Sequence, residues 1–222
     1  MAPQYELYSY FRSSCSARVR IAAHFKGIEL EYKFIHLLNN DQQSSDYIGL
    51  NPSKTVPTLV IRENGKELLI RQSVAILEYF EERHPELPKL LPPASDPEAR
   101  AKVRELVNIV ACDIQPVTNL KVLNKVRPLG VEAQEWQHEW MSVGLEAFEK
   151  VVQLSAGKFA VGDEVTMADA VLAPAVDNAI RFKVDISRYP TVARIYGESG
   201  KLEAFQKGGW KAQPDTPAEL RS

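Results

Sequence analysis

Between an aromatic run and an apolar one lies Arg12-Ser13-Ser14-Cys15-Ser16, three hydroxyls and a thiol beside a cation. At a helix N-terminus the first backbone N–H groups lack intrahelical partners and the helix dipole is positive. Such a segment stabilises an anion, and a thiolate is an anion it can hold. The same residues have a plainer use, with Ser13 or Ser14 capping the helix and Cys15 packing as a small apolar side chain. Arg12, Arg18 and Arg20 add positive potential and shift the balance toward the anion site. A second point is Val56-Pro57-Thr58-Leu59, just ahead of a strand-like run. Proline there either opens an edge strand or, in the cis form, exposes the backbone of Val56 for antiparallel pairing with a peptide-like ligand. The third is Arg71-Gln72-Ser73 at the start of a helical run, where the Ser73 hydroxyl and the first free N–H groups can cap the helix or receive a ligand carboxylate.

Other chemistries find little support. The four histidines, His24, His36, His84 and His138, have no ligand-like spacing, and no glycine-rich phosphate loop or paired-carboxylate motif occurs. No metal site is expected. Trp136 and Trp140 lie one helical turn apart and read as core or interface, and Cys112, mid-helix among apolar neighbours, reads as a core residue. The 222 residues are 45% apolar and 25% charged with a formal charge of −2, which excludes disorder and collagen-like structure. No run of five like charges appears, so neither nucleic acid nor a membrane surface is an expected partner. Two cysteines are too few for a disulfide framework and favour a reducing compartment. The opening Met-Ala-Pro-Gln-Tyr-Glu has no secretory pattern and no apolar run is long enough to span a membrane, so a cytoplasmic location is expected.

The elements that must position these residues fall into two groups about a proline cluster, Pro85, Pro88, Pro92, Pro93 and Pro97, read as a linker over 85–97. Before it, in 1–84, an aromatic strand over 5–11 leads to a helix over 16–26 closed by Gly27, and a strand over 31–37 completes a β-α-β unit. Strands over 58–62 and 67–70 flank Glu63-Asn64-Gly65-Lys66, a hairpin signal, and a helix over 73–83 follows. This order is that of a thioredoxin-like domain, although the spacing also fits other small α/β folds. After the linker, 98–222 reads as all-helical. One long helix is expected over 97–126, bent at Gln115-Pro116, and a second over 131–154. Thr166-Met167-Ala168-Asp169 has the form of a capping box before a buried helix, with shorter helices near 189–196 and 202–205. Residues 211–222 read as a polar, poorly ordered tail.

These residues resemble the cytosolic glutathione transferases over nearly the whole chain, and the zeta class in particular. The likeness rests on Ser13-Ser14-Cys15-Ser16-Ala17-Arg18-Val19-Arg20-Ile21-Ala22, Asn51-Pro52-Ser53-Lys54-Thr55-Val56-Pro57-Thr58-Leu59, Gln72-Ser73, Ile114-Gln115-Pro116 with Asn119-Leu120, and Arg181-Phe182-Lys183-Val184-Asp185. Ala17 departs from a position where that class usually carries tryptophan or histidine. The resemblance implies an α/β plus all-α architecture, a thioredoxin-like glutathione-binding domain followed by an all-helical glutathione-transferase domain that binds the second substrate. Glutathione would pair with Val56 beside Pro57, present its γ-glutamyl carboxylate to Gln72 and Ser73, and place its glycyl end near Gln43 and Lys54. Its sulfur would meet Ser13, Ser14 and Cys15. The implied reaction is glutathione-dependent cis–trans isomerisation of maleylacetoacetate to fumarylacetoacetate in phenylalanine and tyrosine breakdown. The alternative is conjugation or dehalogenation of small α-halo acids. Arg181 would grip one carboxylate of a small dianionic substrate, with Gln115 and Asn119 lining the cleft and Arg12 and Arg18 as electrostatic helpers. The resemblance also implies a two-fold homodimer. A non-catalytic scaffold of the same fold is disfavoured, because a scaffold has no use for an anion site at a helix end.

Overall fold

A computed structural model describes residues 3–221 of the chain. In chain order the elements are β1 (Gln4–Ser9), α1 (Ser14–Lys26), β2 (Glu31–Phe34), α2 (Ser45–Leu50), β3 (Thr58–Glu63), β4 (Lys66–Arg71), α3 (Ser73–Arg83), α4 (Pro97–Asn108), α5 (Leu120–Val126), α6 (Ala133–Val152), α7 (Met167–Arg181), α8 (Pro190–Gly200) and α9 (Glu203–Gly208). They form two compact units, one running to Pro88 and taking up the chain again from Glu203, the other spanning Lys89–Leu202.

The first unit is built on a four-stranded sheet in the order β2-β1-β3-β4, with β1 parallel to β2 and antiparallel to β3, and β3 antiparallel to β4. β1 buries Tyr5, Leu7 and Ser9 on one face and Glu6 on the other, and β3 is buried on both faces through Thr58, Leu59, Val60 and Ile61. Asn64 and Gly65 both take positive φ, as a two-residue hairpin requires, so the expected turn forms between β3 and β4. This β-α-β, β-β-α arrangement is the thioredoxin-like fold read from the sequence. Gly27 closes α1 in the left-handed conformation, donating its N–H to the carbonyls of Ala23 and His24. Lys26, its side chain fully buried, pairs with Glu81 of α3 at 2.9 Å and donates to the Pro88 carbonyl.

The expected all-helical domain over 98–222 and its disordered tail need correction. From Glu203 onward the chain packs with the first unit, where α9 lies against α1. Gly208 makes this approach possible, since a Cβ there would stand 2.6 Å from the Ile21 backbone nitrogen. Residues 210–212 and 218–220 form 3₁₀ turns, and Gln213 and Thr216 are buried. Gln213 donates to the carbonyls of Lys207 and Gly209, and Thr216 to that of Trp210, so polar side chains order the segment instead of dissolving it.

The second unit is helical. The capping box forms, with the Thr166 N–H and hydroxyl both donating to the Asp169 carboxylate at 2.8 and 2.9 Å and Ala160 N–H donating to its other oxygen. Burial pushes the Asp169 carboxyl up to about 6 against the pull of these bonds. The predicted long helix over 97–126 is broken. After Asn108 the chain makes a π-helical turn over Ile109–Ile114, and α5 starts afresh at Leu120, capped by Asn119 Oδ1 on the Lys121 N–H. Pro116 has no N–H to carry the ladder onward, and the Thr118 hydroxyl takes up the freed carbonyls of Ile114 and Gln115. In this wider turn Val110 and Ile114 face inward and Cys112 between them faces solvent, so Cys112 is not the core residue its neighbours implied.

Candidate active site

The turn Tyr10–Ser13 delivers the chain from β1 into α1, with Ser13 N–H bonded to the Tyr10 carbonyl at 2.9 Å. Ser13 is the N-cap; its hydroxyl oxygen accepts from the Ser16 N–H at 3.1 Å. Capping and anion binding are therefore divided between neighbours. Ser13 does the first, while Ser14 and the free thiol Cys15 stay half-buried in the first helical turn with no acidic residue beside them. The Ser16 hydroxyl is buried without a partner. Arg12, half-buried, stacks its guanidinium 5.3 Å over the Phe11 ring.

The Val56-Pro57 peptide is cis. Val56 lies outside the β1–β3 ladder, which begins at Thr58. Beneath it, the Tyr47 hydroxyl and the Asn51 amide both donate to the Thr55 carbonyl, and Asn51 Nδ2 also reaches the Thr58 hydroxyl at 3.0 Å. Asn51, Tyr47 and Thr58 were missed by the sequence reading. Asn51 directly before Pro52 was the available signal. Lys54, half-buried, takes a positive φ of 54°, and Gln43 is exposed at the end of a 3₁₀ turn.

At the start of α3, Gln72 holds φ at 116° and ψ at 119°. A non-glycine residue rarely adopts this conformation, which keeps the exposed Gln72 side chain and the first N–H groups of α3 in place. Ser73 does not cap; it is the first helical residue, 5% exposed, and its hydroxyl accepts from Arg18 Nη1 at 3.2 Å. Arg18 thus belongs with Ser73 and not with the exposed cations. Its side chain is buried, and Nε and Nη2 have no partner. A buried guanidinium with two unfilled nitrogens makes the region behind Ser73 strongly attractive to an anion.

On the helical unit, Gln115 and Asn119 flank Pro116, both half-buried, and Arg181 is exposed at the end of α7 with its guanidinium 4.5 Å from the Phe182 ring centroid. Three successive residues of α6 secure both stretches. Trp136 Nε1 donates to the Val117 carbonyl at 2.8 Å, Gln137 Nε2 to the Thr118 carbonyl at 3.0 Å, and His138 Nδ1 to the Phe182 carbonyl at 3.2 Å. Among the described residues no group of three or more His, Cys, Asp or Glu could hold a metal ion, and no helix is long and apolar enough to cross a membrane.

Residues 12–83 match the glutathione S-transferase N-terminal domain family, and residues 129–205 match its C-terminal domain family. The chain is 51% identical to the maleylacetoacetate isomerase of Rattus norvegicus, covering 97% of both chains. This chain belongs to the glutathione S-transferase family. Among solved structures, the maleylacetoacetate isomerase of Anaeromyxobacter dehalogenans with glutathione bound in its active site superposes with a TM-score of 0.90 at 40% identity, over 97% of this chain and 99% of that one. A bacterial maleyl pyruvate isomerase described as a zeta-class glutathione S-transferase gives 0.88 at 36% identity, over 96% and 100%. Within the family this chain groups with the zeta class, and its cofactor is glutathione.

Proposed function

We propose that this glutathione S-transferase isomerises maleylacetoacetate to fumarylacetoacetate, using glutathione as a cofactor that is returned unchanged. The observation that carries the reading is the division of labour at the start of α1, where Ser13 is spent on the cap and Ser14 and Cys15 remain half-buried over open N–H groups. The identity with maleylacetoacetate isomerases supports the choice of substrate.

A free thiol with a pKa of about 8.5 is only a few per cent ionised at neutral pH, and lowering it by about two units makes the thiolate the main species. Ser14, as hydrogen-bond donor, and the N-terminus of α1 supply that shift. The thiolate adds to the conjugated cis C=C and forms a C–S bond, while the π electrons move onto the neighbouring carbonyl oxygen as an enolate. The former double bond is now single and rotates. Collapse of the enolate re-forms the C=C as trans and expels the thiolate, so no atom is gained or lost. N–H donors at the same helix end stabilise the enolate.

The buried Arg18 behind Ser73 supports placing the γ-glutamyl carboxylate at Gln72 and Ser73, with Val56 beside Pro57 pairing with the peptide and Gln43 and Lys54 near the glycyl end. Cys15 tunes substrate affinity. Arg181 grips a carboxylate of the dianionic substrate, aided by Gln115, Asn119 and Arg12. The likeness to the family supports a two-fold homodimer. Two free cysteines suit the reducing cytoplasm. The test is incubation with maleylacetoacetate and substoichiometric glutathione. Multiple turnovers of the cis compound are expected, and their absence alongside retained turnover of dichloroacetate would replace isomerisation by α-halo acid dehalogenation. A sedimentation run showing monomer at micromolar concentration would remove the dimer.

A further inference from the structure

The Tyr10–Ser13 turn is gripped from a distant part of the chain. Phe11 N–H donates to Asp215 Oδ2 at 2.8 Å. Its carbonyl accepts from Arg20 Nη2 at 3.1 Å, and the Tyr10 carbonyl accepts from Arg20 Nη1 at 3.3 Å. Arg20 is fully buried and also donates to the Ser9 hydroxyl and, through Nε, to the Gly208 carbonyl. These direct acceptors are all neutral, and Asp215 is the acidic side chain that feels its charge. Both faces of the Phe11 peptide are thus fixed, one by α1 and one by the segment after α9.

That segment reaches the other side of the glutathione site as well. Trp210 and Leu220 pack on a buried cluster of Tyr10, Phe11, Tyr47 and Val56. Arg221 Nε donates to the Thr216 carbonyl and Nη2 to that of Pro214, which closes the segment on itself around Asp215. The second Asp215 oxygen is buried without a partner, so this carboxylate is held where solvation is poor while its other oxygen accepts from Phe11. A group kept there at that cost stabilises little by itself and fixes the conformation of what it touches.

We propose that residues 209–221 are a positioning element of the glutathione site, in which Asp215, working against Arg20 across the Phe11 peptide, sets where Ser14 and the first N–H groups of α1 stand relative to the glutathione sulfur. This deepens the proposed function and rests on it. Asp215 touches no reacting atom. Loss of its acceptor lets the turn relax, and small displacements of a positioned group cost about ten- to a hundredfold in efficiency.

The test is a titration of glutathione bound to the full chain, following thiolate absorbance against pH, together with kcat and KM. Asp215→Ala should raise the pKa of the bound thiol by about one unit and lower kcat/KM for glutathione about tenfold. Asp215→Asn, which keeps an acceptor for Phe11 N–H, should restore most of both. Thr216→Val loosens the segment without removing charge and should shift the pKa in the same direction by less. Tyr196→Phe, which cuts the Asp177 bond in the helical unit, should change melting temperature and leave the thiol pKa unmoved. A wild-type thiol pKa in Asp215→Ala, or no rescue by Asp215→Asn, overturns the inference while leaving isomerisation standing. A wild-type chain that leaves glutathione at its solution pKa removes the functional reading and this one together.

Discussion

The turn into α1 and the Pro116 and Phe182 stretches of the helical unit are both candidate site segments, and they are held by different means. Around Ser13–Cys15 the restraints are buried and charged, with Arg20 on two successive carbonyls, Asp215 on the Phe11 N–H and Arg18 under Ser73. Around Gln115, Asn119 and Arg181 they come from three successive residues of α6, Trp136, Gln137 and His138, all bonding to carbonyls. A charged hydrogen bond in a poorly solvated place is strong, and its loss strands a buried polar partner. The first region therefore has one arrangement, suited to a cofactor that never changes. The second rests on restraints that can be exchanged singly, which suits a family whose members differ in the second substrate.

The contrast should break most visibly at Arg20. Arg20→Met strands carbonyls of Tyr10, Phe11 and Gly208 and is expected to cost about 3–5 kcal/mol, read as a lower urea midpoint. Ser14→Ala should leave that midpoint unchanged and reduce kcat about a hundredfold with a higher thiol pKa, and an unchanged pKa would show that the N–H groups act without the hydroxyl. Arg181→Ala should raise KM for the dianionic substrate about tenfold while the thiol pKa stays put, because the role proposed for this residue is on the substrate side alone. The smallest effect is expected for Cys112→Ser on the exposed side of the π turn, within about 0.5 kcal/mol in stability and without effect on turnover.

Features set by neighbouring residues were legible in the sequence. The Asn64-Gly65 hairpin, the Gly27 helix end, the capping box at Thr166 and the start of α1 each depend on backbone chemistry within a few positions, and each is present. The break over 109–119 was half legible. Pro116 announced a bend, but the π turn that exposes Cys112 lies against α6 and α7, partners distant in the chain. Arg18 and Arg20 were visible as cations and misjudged as a diffuse field. In an otherwise apolar run, Ala17 to Ala23, two arginines signal buried charges with fixed acceptors, but the acceptors themselves are far away in the chain. The return of residues 203–221 to the first unit had no local signature at all, since Gly208 and Asp215 acquire their meaning only against Ile21 and Phe11.

The bond between Phe11 and Asp215 spans 204 positions. During synthesis the strands and α1 can form while the ribosome is still translating the helical unit, yet the peptide ahead of Ser13 gains its second anchor only when Asp215 has emerged. Closing so long a loop carries most of its entropic penalty up front and its benefit at the finish. The residues proposed to meet the cofactor are thus among the earliest made, and their exact placement is among the last things decided.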